Sequence, residues 1–161
     1  MNIKQFETNL RNVKSFSPEV YKETMKLSIP FFILHKSLYE QGNQLLKDEF
    51  ALNQSELDVL SALYYMTDGT FTMSPTSLYD VMLFSSGGMT KVLKKLESKS
   101  YIKRTDNAQD KRSKLVVLTQ KGKEATQNAL KDVVNLEDKY FSKLDVKEQK
   151  LFRELLLKVL Y

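Results

Sequence analysis

The 161-residue chain has no cysteine and a single histidine, His35. Without thiols it has no disulfide, no thiol redox switch and no thiolate metal site. One imidazole is too few for a protein-built zinc site. No metal and no cofactor are therefore expected, and most histidine-based catalysis is excluded. Glycine and proline are scarce, at 5 and 3 residues, which argues against a loop-rich all-β fold. No long hydrophobic run occurs. The longest apolar stretch, Ile29 to Leu34, contains Pro30, whereas a bilayer helix needs about 20 apolar residues. The first residues are polar and lack the apolar core of a secretory signal. A cytoplasmic protein without membrane contact is expected.

The length suits one domain with a real core. Hydrophobic residues make up 42% and charged residues 28%, a globular rather than a disordered balance. The net charge of +5 is unevenly spread. Residues 85–123 carry 11 Lys/Arg against 3 Asp/Glu, and the rest of the chain has an acidic excess. A clustered positive charge is the footprint of a polyanion partner, although a merely solvated basic face has the same composition.

Most of the chain reads as helix. Ser17-Pro18-Glu19 is a start signal, with Ser17 as N-cap and Pro18 in the first turn. The spacing of Leu27, Phe31, Leu34, Leu38, Leu45 and Leu46 carries that helix to about Phe50, kinked at Pro30. A second helix begins near Asn53 or Ser55, with Leu57, Leu60, Leu63 and Tyr64 on one face. Thr67-Asp68-Gly69-Thr70 ends it. Ser74-Pro75 opens a short helix with Leu78, Val81 and Met82 inward. After Ser85-Ser86-Gly87-Gly88 comes a helix that buries Met89, Val92, Leu93 and Leu96 and exposes Lys91, Lys94, Lys95 and Ser98. Tyr101–Arg104 and Lys114–Leu118 are β-prone runs around a polar tip. Thr119 caps a helix from about Gln120 to Leu144. Asp145 caps a last one with Leu151, Phe152, Leu155, Leu156, Val159 and Leu160 on one side. Met25, Met66, Met82 and Met89 read as core rather than as a ligand box.

The order helix, helix, turn, helix, two-stranded hairpin defines a winged helix-turn-helix over residues 53–118. It is mainly α with a small β-hairpin wing. Residues 1–50 and 119–161 form a helical dimerisation region continuous with it. A helix fits the major groove of DNA, and a hairpin tip reaches the adjacent minor groove, where the negative potential favours Arg. Gly87-Gly88 has no following Lys-Ser/Thr pair and no preceding parallel strand, so a close approach to DNA suits it better than a nucleotide loop.

Two blocks, SSGGMTKVLKKLESKSYI at Ser85–Ile102 and DKRSKLVVLTQKGKE at Asp110–Glu124, resemble the recognition helix and wing of the multiple-antibiotic-resistance regulator (MarR) family, at the same separation. The resemblance implies a homodimeric, sequence-specific regulator of transcription. It would repress at a pseudo-palindromic double-stranded DNA operator and be released by a small aromatic or acidic effector. It assigns Ser85, Ser86, Gly87, Thr90, Lys91, Lys94 and Lys95 to the recognition helix. Arg104, Asp110, Lys111, Arg112 and Lys114 fall to the wing, with Arg112 entering the minor groove and Asp110 pinning it. Several positions depart from the family pattern: Leu83 and Ser100 stand where Gly is usual, Tyr79 where a small residue is usual, and Lys91 where Arg is common.

Phe31, His35, Tyr39 and Tyr64 are candidates for an effector pocket, although core or dimer interface is the commoner place for such residues. The competing reading is an effector- or protein-binding module that kept the fold but lost DNA binding. An enzyme has no support: no Ser-His-Asp set, nucleophile elbow or phosphate loop is present.

Overall fold

The computed structural model describes residues 3–82, 86–108 and 113–161. It contains α1 (Ile3–Phe16), α2 (Met25–Phe50), α3 (Gln54–Tyr65), β1 (Thr72–Met73), α4 (Pro75–Val81), α5 (Ser86–Ser98), β2 (Ile102–Asp106), β3 (Lys114–Leu118), α6 (Gln120–Phe141) and α7 (Val146–Leu160). Residues 1–41 and 42–161 form two compact units.

The N-terminal unit departs from the sequence-based expectation. Ser17 does not cap a long helix. An unexpected α1 ends just before it, because Pro18 has no N–H for the Lys14 carbonyl. The Ser17 carbonyl does open a turn, accepting from Val20 N at 2.9 Å and Tyr21 N at 3.2 Å. That turn does not run on into α2: a separate one starts at Lys22, whose carbonyl accepts from Met25 N at 2.9 Å. Helix resumes at Met25 and runs through Pro30 without a break. The stripe Phe6, Leu10, Val13 supports α1, with Leu10 buried. Leu27, expected in an apolar seam, is 76% exposed.

In the second unit the expected caps are present. Asn53 accepts from Glu56 N, Ser74 from Ser77 N, Thr119 from Gly122 N, and Asp145 forms a full capping box with Glu148. Leu57, Leu60 and Leu63 of α3 pack with Leu78 of α4, Met89, Leu93 and Leu96 of α5, Ile102, Val116 and Leu118 of the sheet, and Ala129 of α6. Val81 and Met66, expected inside, are exposed instead. Both stand at helix ends, on the lining of an open cleft between α3 and α4. The expected hairpin forms from β2 and β3, and β1 adds a third strand that the sequence did not announce, giving an antiparallel sheet ordered β1-β3-β2. Its third strand pairs Thr72 with Val117 and Met73 with Val116. Two residues are too short to show a strand period. Phe141 and Phe152 pack between α6 and α7, and Gln149 ties the two by donating to the Phe141 and Leu144 carbonyls.

One junction joins helix, wing and α6. After α5, Ser100 takes a left-handed backbone with φ of 60°. Tyr101 N bonds Leu96 O at 3.0 Å and Ser100 N bonds Glu97 O at 2.9 Å, the paired closure of a Schellman end. The Thr119 hydroxyl donates to Ser100 O at 2.7 Å while accepting from Gly122 N. Gly122 lies so close that a β-carbon there would overlap the Tyr101 carbonyl and crowd Leu118.

Two opposite stability changes follow. Gly122→Ala should destabilise by about 1–3 kcal/mol or more, since the obstacle is backbone. Ser100→Gly should stabilise by about 0.5–1 kcal/mol, because relief of the left-handed strain exceeds the added chain entropy. Urea denaturation should move the midpoint down in the first variant and up in the second, with the slope unchanged.

Candidate nucleic-acid interface

Helix α5 is amphipathic by construction. Met89, Leu93 and Leu96 recur at three- and four-residue steps and are buried. That packing turns Gly88, Thr90, Lys91, Lys94, Lys95 and Ser98 outward, all exposed. Gly87 and Gly88 lie within the helix, whose first residue is Ser86. Lys91 and Lys94 enter no ion pair among the described residues. They are the exposed charge of this face.

Lys95 has a different local task. Its ammonium lies 2.8 Å from Oε1 of Glu56, and that of Lys99 lies 2.8 Å from Oε2. Lys99 also donates to the Ala51 carbonyl at 2.5 Å. Glu56 is fully buried in the first turn of α3, where the helix dipole favours a negative charge. Burial pushes its carboxyl pKa up. Hydrogen bonds from Lys95 and Lys99, with their charges, outweigh burial and hold it below the usual carboxylate range. Sequence reasoning missed this pair. The available signals were the Asn53-to-Glu56 cap spacing and two lysines one helical turn apart.

In the wing, Arg104 Nε lies 3.4 Å from Glu97 Oε2, so this Arg also braces β2 against α5. Lys114 meets Asp106 at 3.5 Å. Both groups of that pair are largely exposed, so it is weak and leaves Lys114 open to a phosphate. Lys103, not singled out from the sequence, is exposed on β2. Asn107 donates to Ser113 across the base of the tip at 2.9 Å. Leu83, Ser85, Asp110, Lys111 and Arg112 lie outside the described residues, as do the side-chain surroundings of Ser86 and Gly87.

Of the effector candidates, His35 and Tyr39 stack on α2 with ring centroids 6.0 Å apart, and Phe31 is half exposed. Tyr64 belongs to the second unit. Its hydroxyl accepts from Gln127 at 2.7 Å and its ring meets the edge of Phe71 at 5.4 Å. Among the described residues no group of His, Asp or Glu is placed to hold a metal ion, and no helix is long and apolar enough to cross a membrane.

A short helix, a basic-faced helix that starts five residues after its end and a small sheet beside them define a winged helix-turn-helix of the transcription-regulator type. Residues 41–129 match the family model for the transcriptional regulators SarA/Rot. The SarZ transcriptional regulator of Staphylococcus epidermidis is 32% identical over 108 residues, 67% of this chain and 69% of that protein. The chain belongs to the SarA/Rot family of winged-helix transcriptional regulators, DNA-binding proteins rather than enzymes, and its fold is that of the MarR family. Sco3205, a MarR-family regulator from Streptomyces coelicolor solved in complex with DNA, superposes with a TM-score of 0.72 at 18% identity, over 86% of this chain and 87% of that one. The organohalide-sensing regulator RdhR, in its 2,4-dichlorophenol-bound form, gives 0.72 at 17% identity, over 89% and 82%.

The buried pair gives a pH signature. Glu56 ionises below the usual carboxylate value of 4.5 in the folded chain. Its contribution to stability is present above the unfolded pKa and is lost as pH falls through the folded one. Glu56→Gln should be less stable than wild type near neutrality, and the gap should narrow as pH falls below the unfolded value and through the lower folded one. Urea denaturation across that range checks it.

Proposed function

We propose that the chain acts in the cytoplasm as a homodimer. It binds a pseudo-palindromic double-stranded DNA operator and represses transcription until a small aromatic or acidic effector releases it. The observation that carries this reading is the outward face of α5. There Thr90, Lys91 and Lys94 stand on a rigid helix whose other side is locked into the core. Lys91 and Thr90 read base edges, Arg112 enters the minor groove, and Lys111 and Lys114 neutralise phosphates. Arg104 adds a phosphate contact where its tie to Glu97 permits. The lobe at 53–118 reads DNA, and residues 1–50 and 119–161 join the subunits. Exposed apolar side chains on α7, including Leu151, Leu155 and Leu160, support the dimer, as do Leu27, Phe31 and Phe32 on α2. Leaving such a surface in water is unfavourable, and a second copy buries it. An aromatic effector is supported by the dichlorophenol-bound structural neighbour, with Phe31, His35 and Tyr39 of the first unit as its candidate contacts. The absence of cysteine leaves no thiol route to release.

Fluorescence anisotropy on promoter fragments tests the roles. Lys114→Ala should weaken all sequences alike and lower the salt slope by about one. Lys91→Ala should change which half-site is preferred, at about 1–3 kcal/mol per lost base contact. Arg112→Ala should weaken operators with A·T-rich flanks most. Absence of binding at about 50 mM salt would overturn the proposal in favour of a module that does not bind DNA. Light scattering should give twice the chain mass of 18.7 kDa.

A further inference from the structure

A cleft of about 420 Å3 opens between α3 and the end of α4, lined by Asp58, Ser61, Tyr65, Met66, Val81 and Met82 among others. Asp58, Ser61 and Tyr65 follow one another at helical spacing, on a different face of α3 from Glu56. The walls are an aromatic ring, two thioethers and a branched aliphatic chain. Two polar groups interrupt them. The Asp58 carboxylate accepts one hydrogen bond, from Gln54 at 2.8 Å, and pairs with no cation among the described residues. The Ser61 hydroxyl oxygen is buried and has no hydrogen-bond partner. A helical serine ordinarily satisfies itself on the carbonyl four residues back; this one does not. Folding leaves a negative group without a counter-charge and an orphan hydroxyl one turn away, inside an apolar cleft.

We propose that this cleft binds a small aromatic amine in its protonated form, with the ammonium group between Asp58 and Ser61 and the ring against Tyr65, Met66 and Met82. An ammonium has three donors and no acceptor, so it satisfies the carboxylate and the hydroxyl together. Thioethers and an aromatic ring make a favourable bed for the ring, and the volume is in the range of small-molecule sites. An acidic ligand would instead place a like charge beside the Asp58 carboxylate. Burial already holds the Asp58 carboxyl above its usual range, a strain that a bound cation relieves. The ligand class is thus opposite in charge to an acidic effector, and the site lies wholly within the second unit. It touches α3 and α4, the helices that lead into α5. The inference does not rest on operator binding and is tested without DNA.

Calorimetric titration of the full chain at neutral pH with 2-phenylethylamine, 2-phenylethanol and phenylacetate compares cation, neutral and anion on similar skeletons. The amine should bind about tenfold or more tighter than the alcohol, with phenylacetate weakest. Asp58→Asn should remove that advantage and leave the alcohol unaffected. Ser61→Ala should weaken amine binding yet raise the melting temperature, because it deletes an unsatisfied buried group. Methyl resonances of Met66 and Met82 should shift on binding, and those of the other methionines should not. Lack of amine binding at millimolar concentration, equal binding of amine and phenylacetate, or shifts confined to other methionines would overturn the proposal. The wild-type charge series and the methyl shifts decide it even if Asp58→Asn fails to fold.

Discussion

A carboxylate without access to water joins two helices of the winged helix-turn-helix. Glu56 lies in the first turn of α3 and faces α5, where Lys95 and Lys99 each hold one of its oxygens at 2.8 Å. A buried charge is costly unless its partners are well placed, so the pair fixes the rotation of α5 about its own axis. Once that rotation is set, Met89, Leu93 and Leu96 enter the core and Lys91 and Lys94 face out. The same three charges also tie the loop before α3, because Lys99 reaches the Ala51 carbonyl.

The far end of α5 depends on a second constraint, close backbone packing. Ser100 turns the chain through a left-handed residue, Thr119 bonds both that turn and its own helix, and Gly122 lets α6 approach the Tyr101 carbonyl. Wing and α6 therefore move as one with the end of α5. The Lys121 ammonium donates to the Lys99 carbonyl and lies over the Tyr101 ring, and Lys123 lies over Phe71 at 3.3 Å. Part of the positive charge that marked residues 85–123 is thus spent on holding the lobe together. Among the described residues the remainder, on Lys91, Lys94, Lys103 and weakly paired Lys114, faces solvent. A composition count treats these two populations alike. They differ because a paired, partly buried lysine contributes to position, and an exposed one to the external field.

The local signals were legible because they act over three or four residues. A side-chain oxygen at Ser74, Thr119 or Asp145 meets a backbone N–H within the next turn, so those three helix starts could be read directly, and the α3 start to within Asn53 or Ser55. The strands of the wing were legible for a similar reason, as Leu115-Val116-Val117-Leu118 is too β-branched for anything else in this setting. Pro18 was ambiguous. The same missing N–H that suits a helix start also ends a helix, and only α1, held by Phe6, Leu10 and Val13, decided between them.

From the sequence alone came the winged helix-turn-helix order, the basic face of α5 and the family, all of which rest on short-range spacing and residue type. Tertiary structure alone decided which lysines are free and that β1 completes the sheet. It also decided that Asp58 and Ser61 share a cleft with Val81 and Met82. Glu56 and Lys99 are 43 residues apart, and no local periodicity reports a contact at that distance. Such contacts exist only once the core has brought the helices together, because a buried charge chooses its partner from whatever packing leaves within reach.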